Sequence, residues 1–269
     1  MELLINWEEF LTPYAQAVGE LTAKLNAISD EYVKSGVHSP IEYIEGRVKR
    51  VASIIGKANK KSVPYGEIAE KIEDIAGVRI ICRFVEDIER VTEIIKLRDG
   101  FDLKVMEQRD YITNIKPSGY RSFHIIVKYK VMSANAPKEV WVEIQIRTLA
   151  MNFWATIEHT LKYKYNGDIP EDVRKRLRNS AEAAHNLDRE MSTIRNEITE
   201  AKEIIFDKEK LVDGIIKKIQ SLYYVAKIEK VNELNREFID LYQEADLTRL
   251  AEFNEKLNAI AKFHRVEYL

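Results

Sequence analysis

Residues 140–147 read VWVEIQIR, and this alternation constrains the chain more than any other stretch. A period of two puts Val142, Ile144 and Ile146 on one face of a strand and Glu143, Gln145 and Arg147 on the other. Such a strand belongs in a sheet whose apolar face is covered and whose polar face borders solvent or a cleft. Two more stretches share the pattern. In GVRIICRF (77–84), Arg79, Ile81 and Arg83 oppose Ile80, Cys82 and Phe84, and SFHIIVKY (122–129) sets His124, Ile126 and Lys128 on one face. FDLKVMEQR (101–109) reads as a fourth strand.

Helical spacing surrounds these strands. Apolar residues recur at threes and fours from Trp7 to Val33, and again in DIERVTEIIKLR (87–98). In HSPIEYIEGRVKR, Ser39, Pro40 and Glu42 form a capping box with a proline start, which predicts a helix running to about Lys57. TLAMNFWATIEHTLKYKY (148–165) carries Leu149, Phe153, Ile157 and Leu161 at four-residue spacing, and a long charged helix covers 170–205. The expected class is α+β, a mixed and mostly antiparallel sheet flanked by helices. From about residue 206 only helical patterns remain, with Val231, Leu234, Phe238 and Leu241 in one stripe and Leu250, Phe253, Leu257 and Ile260 in another. EADLT (244–248) marks a break between them. We therefore divide the chain into a domain at 1–204 and a C-terminal helical extension at 205–269.

Charge excludes one class of function. Lys and Arg total 42 against 44 Asp and Glu, so the chain is no polycation, and any anion-binding surface must come from local clustering. The single cysteine, Cys82, excludes an internal disulfide and a cysteine-rich zinc site. No stretch has the length or apolarity of a membrane span, and the N-terminus lacks the basic and apolar regions of a signal peptide, so the expected location is cytoplasmic.

The clustering exists. Arg47, Lys49, Arg50, Lys57, Lys60 and Lys61 follow one another through 47–61. Asp74 opens one strand and Glu143 lies within another; if those strands are neighbours, the two carboxylates can hold a hard cation beside phosphates. Arg79, Arg83, His124, Gln145 and Arg147 would surround them. The turn KPSGYRS (116–122) needs only its Pro, Ser and Gly, so Lys116, Tyr120 and Arg121 are surplus to turning. Structural readings stand beside these: a salt-bridged strand face for Glu143, a cap for Asp74, a solvated helix face for the basic run, packing for Tyr120. No Walker A sequence and no G-x-G-x-x-G is present.

Taken together, HSPIEYIEGRVK, DIAGVRIICRFV, RDYITNIKPSGYRSFH and VEIQIRTLAMNFWATIEHTLKYKY resemble the synthetase domain of the RelA/SpoT superfamily, most closely its RelQ-type small alarmone synthetases. The resemblance runs from about Trp7 to about Ala201. It implies a nucleotidyltransferase-like domain that moves the β,γ-pyrophosphate of ATP to the 3′-hydroxyl of GDP or GTP. The products would be ppGpp or pppGpp, the alarmones of the stringent response, and AMP. By that likeness Arg47 and Arg79 would sandwich adenine, while Lys49, Ser53, Lys57 and Lys60 would meet the ATP phosphates. Tyr120 would stack on guanine, with Lys116, His124, Gln145 and Asn152 lining the acceptor and Arg109 near its phosphates. Asp74 and Glu143 would hold Mg2+, and Glu143 would alternatively take the proton of the 3′-hydroxyl.

The same likeness implies a homotetramer with an alarmone cleft. Lys24 and Tyr43 are its candidate residues here, although Thr22 and Asn26 stand where lysines are expected. It also implies no hydrolase activity, which in long relatives belongs to a separate His-Asp domain. Other acceptors (GMP, an adenosine nucleotide, the 3′ end of tRNA) fit the same motifs, as does a non-catalytic regulator binding nucleotide or single-stranded RNA.

Overall fold

The computed structural model describes residues 6–133, 136–164, 170–224, 226–244 and 246–263. The chain divides into two compact units, Met1–Thr193 and Ile194–Leu269.

The first unit is built on a five-stranded sheet. Helix α1 (Trp7–Lys34) precedes β1 (Tyr43–Val48), α2 (Val51–Lys60), the short α3 (Ile68–Lys71), β2 (Ala76–Cys82) and α4 (Glu86–Lys96). Strands β3 (Leu103–Asp110), β4 (Phe123–Met132) and β5 (Pro137–Thr148) lead into α5 (Leu149–Lys164) and α6 (Glu171–Leu222). The strand order is β1-β2-β5-β4-β3, and every pair is antiparallel except β2 with β5. The period-two reading therefore holds for the apolar face of β2, β4 and β5. Val78, Ile80, Ile125, Val127, Val142, Ile144 and Ile146 are buried in one core with Tyr14, Leu21 and Leu25 of α1. The opposite face carries Arg79, His124, Glu143, Gln145 and Arg147.

The capping box at Ser39 starts no helix. Residues 43–48 instead form an edge strand, from Tyr43 opposite Ile81 to Val48 opposite Ala76. The Ser39 hydroxyl accepts from Ile41 N–H at 3.2 Å, and Glu42 pairs with Arg83. Two forces override the local signal. Pairing with β2 satisfies the backbone groups along one edge of the segment. Gly46 would weaken a helix but is required where it is: a Cβ there would come within 2.4 Å of Val18 Cγ1, so the glycine lets α1 lie directly on β1. The helix begins only at Val51. In α5 the four-residue stripe also turns out differently. Met151, Trp154 and Ala155 are buried, whereas Leu149, Phe153 and Ile157 are exposed.

The second unit is helical. Asp246 receives N–H bonds from Thr248 and Arg249 at 2.9 and 3.2 Å and so caps α8 (Leu247–Phe263) after α7 (Ile228–Glu244) ends. Its core joins Val231, Leu234, Leu241, Leu250, Phe253 and Leu257 to Ile215, Ile219 and Leu222 of α6, so each stripe of the extension finds a partner. The described residues include no helix long and apolar enough to cross a membrane.

Candidate active site

Parallel pairing of β2 with β5 sets Gly77 opposite Glu143 and Arg79 opposite Gln145. Asp74 lies two residues before β2. Both carboxylates thus line one cavity of about 380 Å³, together with Glu45, Gly46, Arg47, Gly77, Val78, Arg79 and Gln145. Gly77 keeps its floor low, since the Arg47 side chain lies across it with Cγ 3.7 Å from where a Cβ would stand.

On the Asp74 side, Oδ2 accepts from Lys49 Nζ at 2.5 Å and lies 2.7 Å from Lys57 Nζ. Oδ1 is buried without a hydrogen-bond partner. Burial alone would raise the Asp74 carboxyl, but the two lysines outweigh it and hold it below the usual value. Arg79 donates to Glu45 at 3.0 Å, and its Nε is buried and unsatisfied. Ser53 and Lys60 are exposed on α2.

The other side is a connected network. Gln145 donates to Glu143 Oε2 at 2.7 Å, and His124 Nδ1 lies 3.1 Å from Glu143 Oε1. Burial pushes Glu143 up, the contacts with His124 and Gln145 pull it down, and the net shift is downward, so it is an ionised acceptor at neutral pH. His124 Nδ1 is then the donor, which leaves Nε2 to accept from the Tyr120 hydroxyl at 2.8 Å. That oxygen in turn accepts from Arg147 at 2.6 Å. Arg147 also donates to Gln145 at 2.7 Å and lies 3.5 Å from Asn152 Oδ1, while Asn152 donates to the Tyr43 hydroxyl at 3.1 Å. Lys116 Nζ sits 3.9 Å from the Tyr111 ring centre and 4.8 Å from that of Tyr120; burial lowers its pKa. A register shift in β3 between Val105 and Glu107 sets Arg109 opposite His124, where Glu73 and Glu107 hold it charged.

The loop KPSGYRS divides its surplus residues between two tasks. Lys116 and Tyr120 face the network. Arg121 turns the other way, 5% exposed, and donates to Ala181 O at 3.3 Å and Glu182 at 2.7 Å on α6. Gly119 sits at φ +90°, and a Cβ there would lie 2.7 Å from Ala181 Cβ. The loop is therefore pinned to α6 from behind.

Lys24 and Tyr43 are not brought together. Lys24 binds Asp102 and the Tyr129 hydroxyl, each at 2.7 Å, on the α1 side of the sheet, whereas Tyr43 points to the polar face. Sequence reading set Arg147 beside the carboxylates but the family likeness gave it no role, and it joins Tyr120, Gln145 and Asn152. Its signal was its parity with Glu143 and Gln145.

Residues 46–168 match the family model described as "Region found in RelA / SpoT proteins". GTP pyrophosphokinase YjbM of Bacillus subtilis (strain 168) is 55% identical over 204 residues, covering 76% of this chain and 95% of the relative. GTP pyrophosphokinase YwaC of the same organism is 42% identical over 195 residues, covering 72% and 92%. Among solved structures, small alarmone synthetase 1 of B. subtilis bound to its product pppGpp superposes with a TM-score of 0.68 at 56% identity, covering 71% of this chain and 97% of that one. The same enzyme bound to AMPCPP gives 0.63 at 51% identity, covering 72% and 98%.

Proposed function

This chain belongs to the RelA/SpoT superfamily as a small alarmone synthetase, and on that footing we propose that it transfers the β,γ-pyrophosphate of ATP to the 3′-hydroxyl of GDP or GTP, releasing AMP. The observation that carries this reading is the meeting of Asp74 and Glu143 in one cavity whose rim continues into the network of His124, Tyr120 and Arg147.

ATP takes the Asp74 side. Arg47 and Arg79 flank the adenine, and Lys49, Ser53, Lys57 and Lys60 meet the phosphates. The lysines held by Asp74 are the nearest cations, so phosphate oxygens compete with the carboxylate for them. The guanine nucleotide takes the other side. Its base stacks on Tyr120 once Lys116 moves off that ring, and Gln145, Asn152 and Arg109 complete the site. Glu143 receives the proton of the 3′-hydroxyl, and His124 fixes the orientation of that carboxylate. Attack on the β-phosphorus requires the hydroxyl about 3–3.5 Å away and in line with the departing AMP. A carboxylate braced from both sides favours that placement.

The residues suit magnesium. Asp74 Oδ1 is a buried acceptor without a hydrogen-bond partner, on a residue that lines the cavity together with Glu143. No group of three or more His, Cys, Asp or Glu able to hold a metal occurs among the described residues. A cation held by one or two carboxylates and otherwise by phosphate and water is the habit of Mg2+. When bound it would neutralise charge on the transferred phosphates. By resemblance the active form is a homo-oligomer. The test is ATP labelled in its β and γ phosphates, incubated in parallel with GDP, GTP, GMP and uncharged tRNA. Labelled guanosine 3′-diphosphates are expected. Label on tRNA or on adenosine nucleotides would move the acceptor assignment, and no transfer to any acceptor would remove the enzyme reading.

A further inference from the structure

Arg121 is the surplus residue of the turn KPSGYRS that faces away from the Tyr120 network. Its guanidinium plugs into the first part of α6. Nη1 donates to Gly119 O at 3.4 Å and to Ala181 O at 3.3 Å, and Nη2 donates to Glu182 at 2.7 Å. His185, one turn further along α6, completes the surroundings; burial and then the Arg121 charge lower its pKa, so it stands neutral beside the guanidinium. The arrangement is costly for a mere prop. Arg121 Nε is buried without a partner, and Glu182, the carboxylate that pairs with the guanidinium, is 59% exposed. A buried cation so thinly compensated destabilises a fold, and an apolar side chain would hold a turn at less cost. What the guanidinium offers instead is direction, because its planar fork binds two acceptors in one fixed orientation.

Direction matters because of the neighbouring residue. Consecutive Cα atoms stand about 3.8 Å apart, so Tyr120 inherits the placement of Arg121. The Tyr120 ring packs on Trp154, Ala155 and Ala181. Trp154 Nε1 donates to Leu177 O and Ser180 Oγ, each at 3.0 Å, and so joins α5 to α6 behind that ring. Arg147 and His124 hold the hydroxyl tip of Tyr120, which leaves its backbone end to the turn. The turn's own bonds close within it: Gly119 N–H donates to Lys116 O at 2.8 Å and Tyr120 N–H to Ser118 Oγ at 3.4 Å. They shape the turn without placing it against the helices. Arg121 supplies the placement.

We propose that Arg121 is a positioning residue for the guanine nucleotide: through Ala181 and Glu182 it sets where the Tyr120 ring stands, and so sets acceptor affinity while touching neither substrate. The proposal rests on the reading of Tyr120 as the platform for the base.

The experiment measures kcat and KM for GTP and for ATP with the full chain. Arg121→Ala should raise the KM for GTP roughly tenfold, a part of what a stacked base is worth, and leave the KM for ATP unchanged. Arg121→Lys keeps the charge but loses the fork, and should fall between Arg121→Ala and the natural chain. Glu182→Gln, at an exposed position that tolerates substitution, should raise the same KM by about threefold, and added to Arg121→Ala it should change nothing further. The decisive variant is Arg121→Ala combined with Tyr120→Ala. If Arg121 acts through the ring, its effect on the KM for GTP vanishes once the ring is gone. Circular dichroism confirms that each variant is folded; where Arg121→Ala is not, Arg121→Lys and Glu182→Gln carry the same comparison. Unchanged KM for GTP in folded variants, equal rises for GTP and ATP, or an effect that persists in full without the Tyr120 ring would overturn the proposal. A Tyr120→Ala variant with normal KM for GTP would instead remove the platform reading, and the proposal with it.

Discussion

The two sides of the cavity are built differently. Around Tyr120 the polar side chains form a connected series: Arg147 to Tyr120, Tyr120 to His124, His124 to Glu143, Gln145 to both ends. Around Asp74 the cations are tied only to acids that a nucleotide would challenge, and two buried atoms, Asp74 Oδ1 and Arg79 Nε, have no partner. The acceptor side is thus preorganised, and the donor side is poised to exchange partners when phosphates arrive. Preorganised dipoles cost no reorganisation at the moment of reaction. Loosely committed lysines suit a substrate that brings its own charge and leaves as AMP.

The largest effect should come from cutting the acceptor network at its end. Glu143→Gln keeps the size and the hydrogen bond to Gln145 but cannot take a proton. It should lower kcat by about 10²–10⁴-fold while leaving nucleotide affinity nearly unchanged. Quenched-flow turnover beside equilibrium binding of both nucleotides separates the two. Near-normal turnover would place the base elsewhere.

Asp74→Asn acts on the donor side. It releases Lys49 and Lys57, so ATP should bind no more weakly in the absence of divalent cation, yet turnover with Mg2+ should fall by roughly 10²-fold. A variant that loses ATP affinity without the metal would show that Asp74 positions the lysines rather than competing for them.

The two sides were also unequally legible. VWVEIQIR displayed Glu143 and Gln145 by parity alone, because a half-covered sheet enforces period two. The segment around Arg47 and Lys49 was misread as helix from a local capping box. Its strand depends on a partner more than 25 residues away in sequence, from Ala76 to Ile81, and on the close approach of α1 to Gly46. Arg121 shows the same limit. Beside Tyr120 it reads as site chemistry, and only α6, some sixty residues on, turns it into an anchor.

Tyr120→Ala should weaken guanine nucleotides by about 1–3 kcal/mol, the value of a base stacked on an aromatic ring. ATP should be unaffected. Tyr120→Phe keeps the ring but leaves His124 and Arg147 without their shared hydroxyl. It should cost about 1 kcal/mol, expressed in kcat rather than in guanine affinity. Calorimetric titration with each nucleotide reads Tyr120→Ala and steady-state turnover reads Tyr120→Phe; a loss of affinity confined to ATP would place Tyr120 on the wrong substrate.

The smallest effect concerns pH. Asp74 and Glu143 both sit below their ordinary values of 3.8 and 4.5. Their contribution to stability is therefore fully present above about pH 4.5 and lost as pH falls through the lower folded-state values. Glu143→Gln should flatten the acid limb of a stability profile recorded by chemical denaturation. An unchanged limb would mean that the His124 and Gln145 contacts do not hold the carboxylate.

The most direct measurement follows one label. With ATP labelled only at its γ phosphate, GTP present and Glu143 intact, the label should appear in a guanosine nucleotide phosphorylated at the 3′ position, with one unlabelled AMP formed per label transferred. With Glu143→Gln both should form about 10²–10⁴-fold more slowly. Label released as phosphate or pyrophosphate in step with ATP loss, with none on guanosine, would contradict diphosphate transfer and the site described for it.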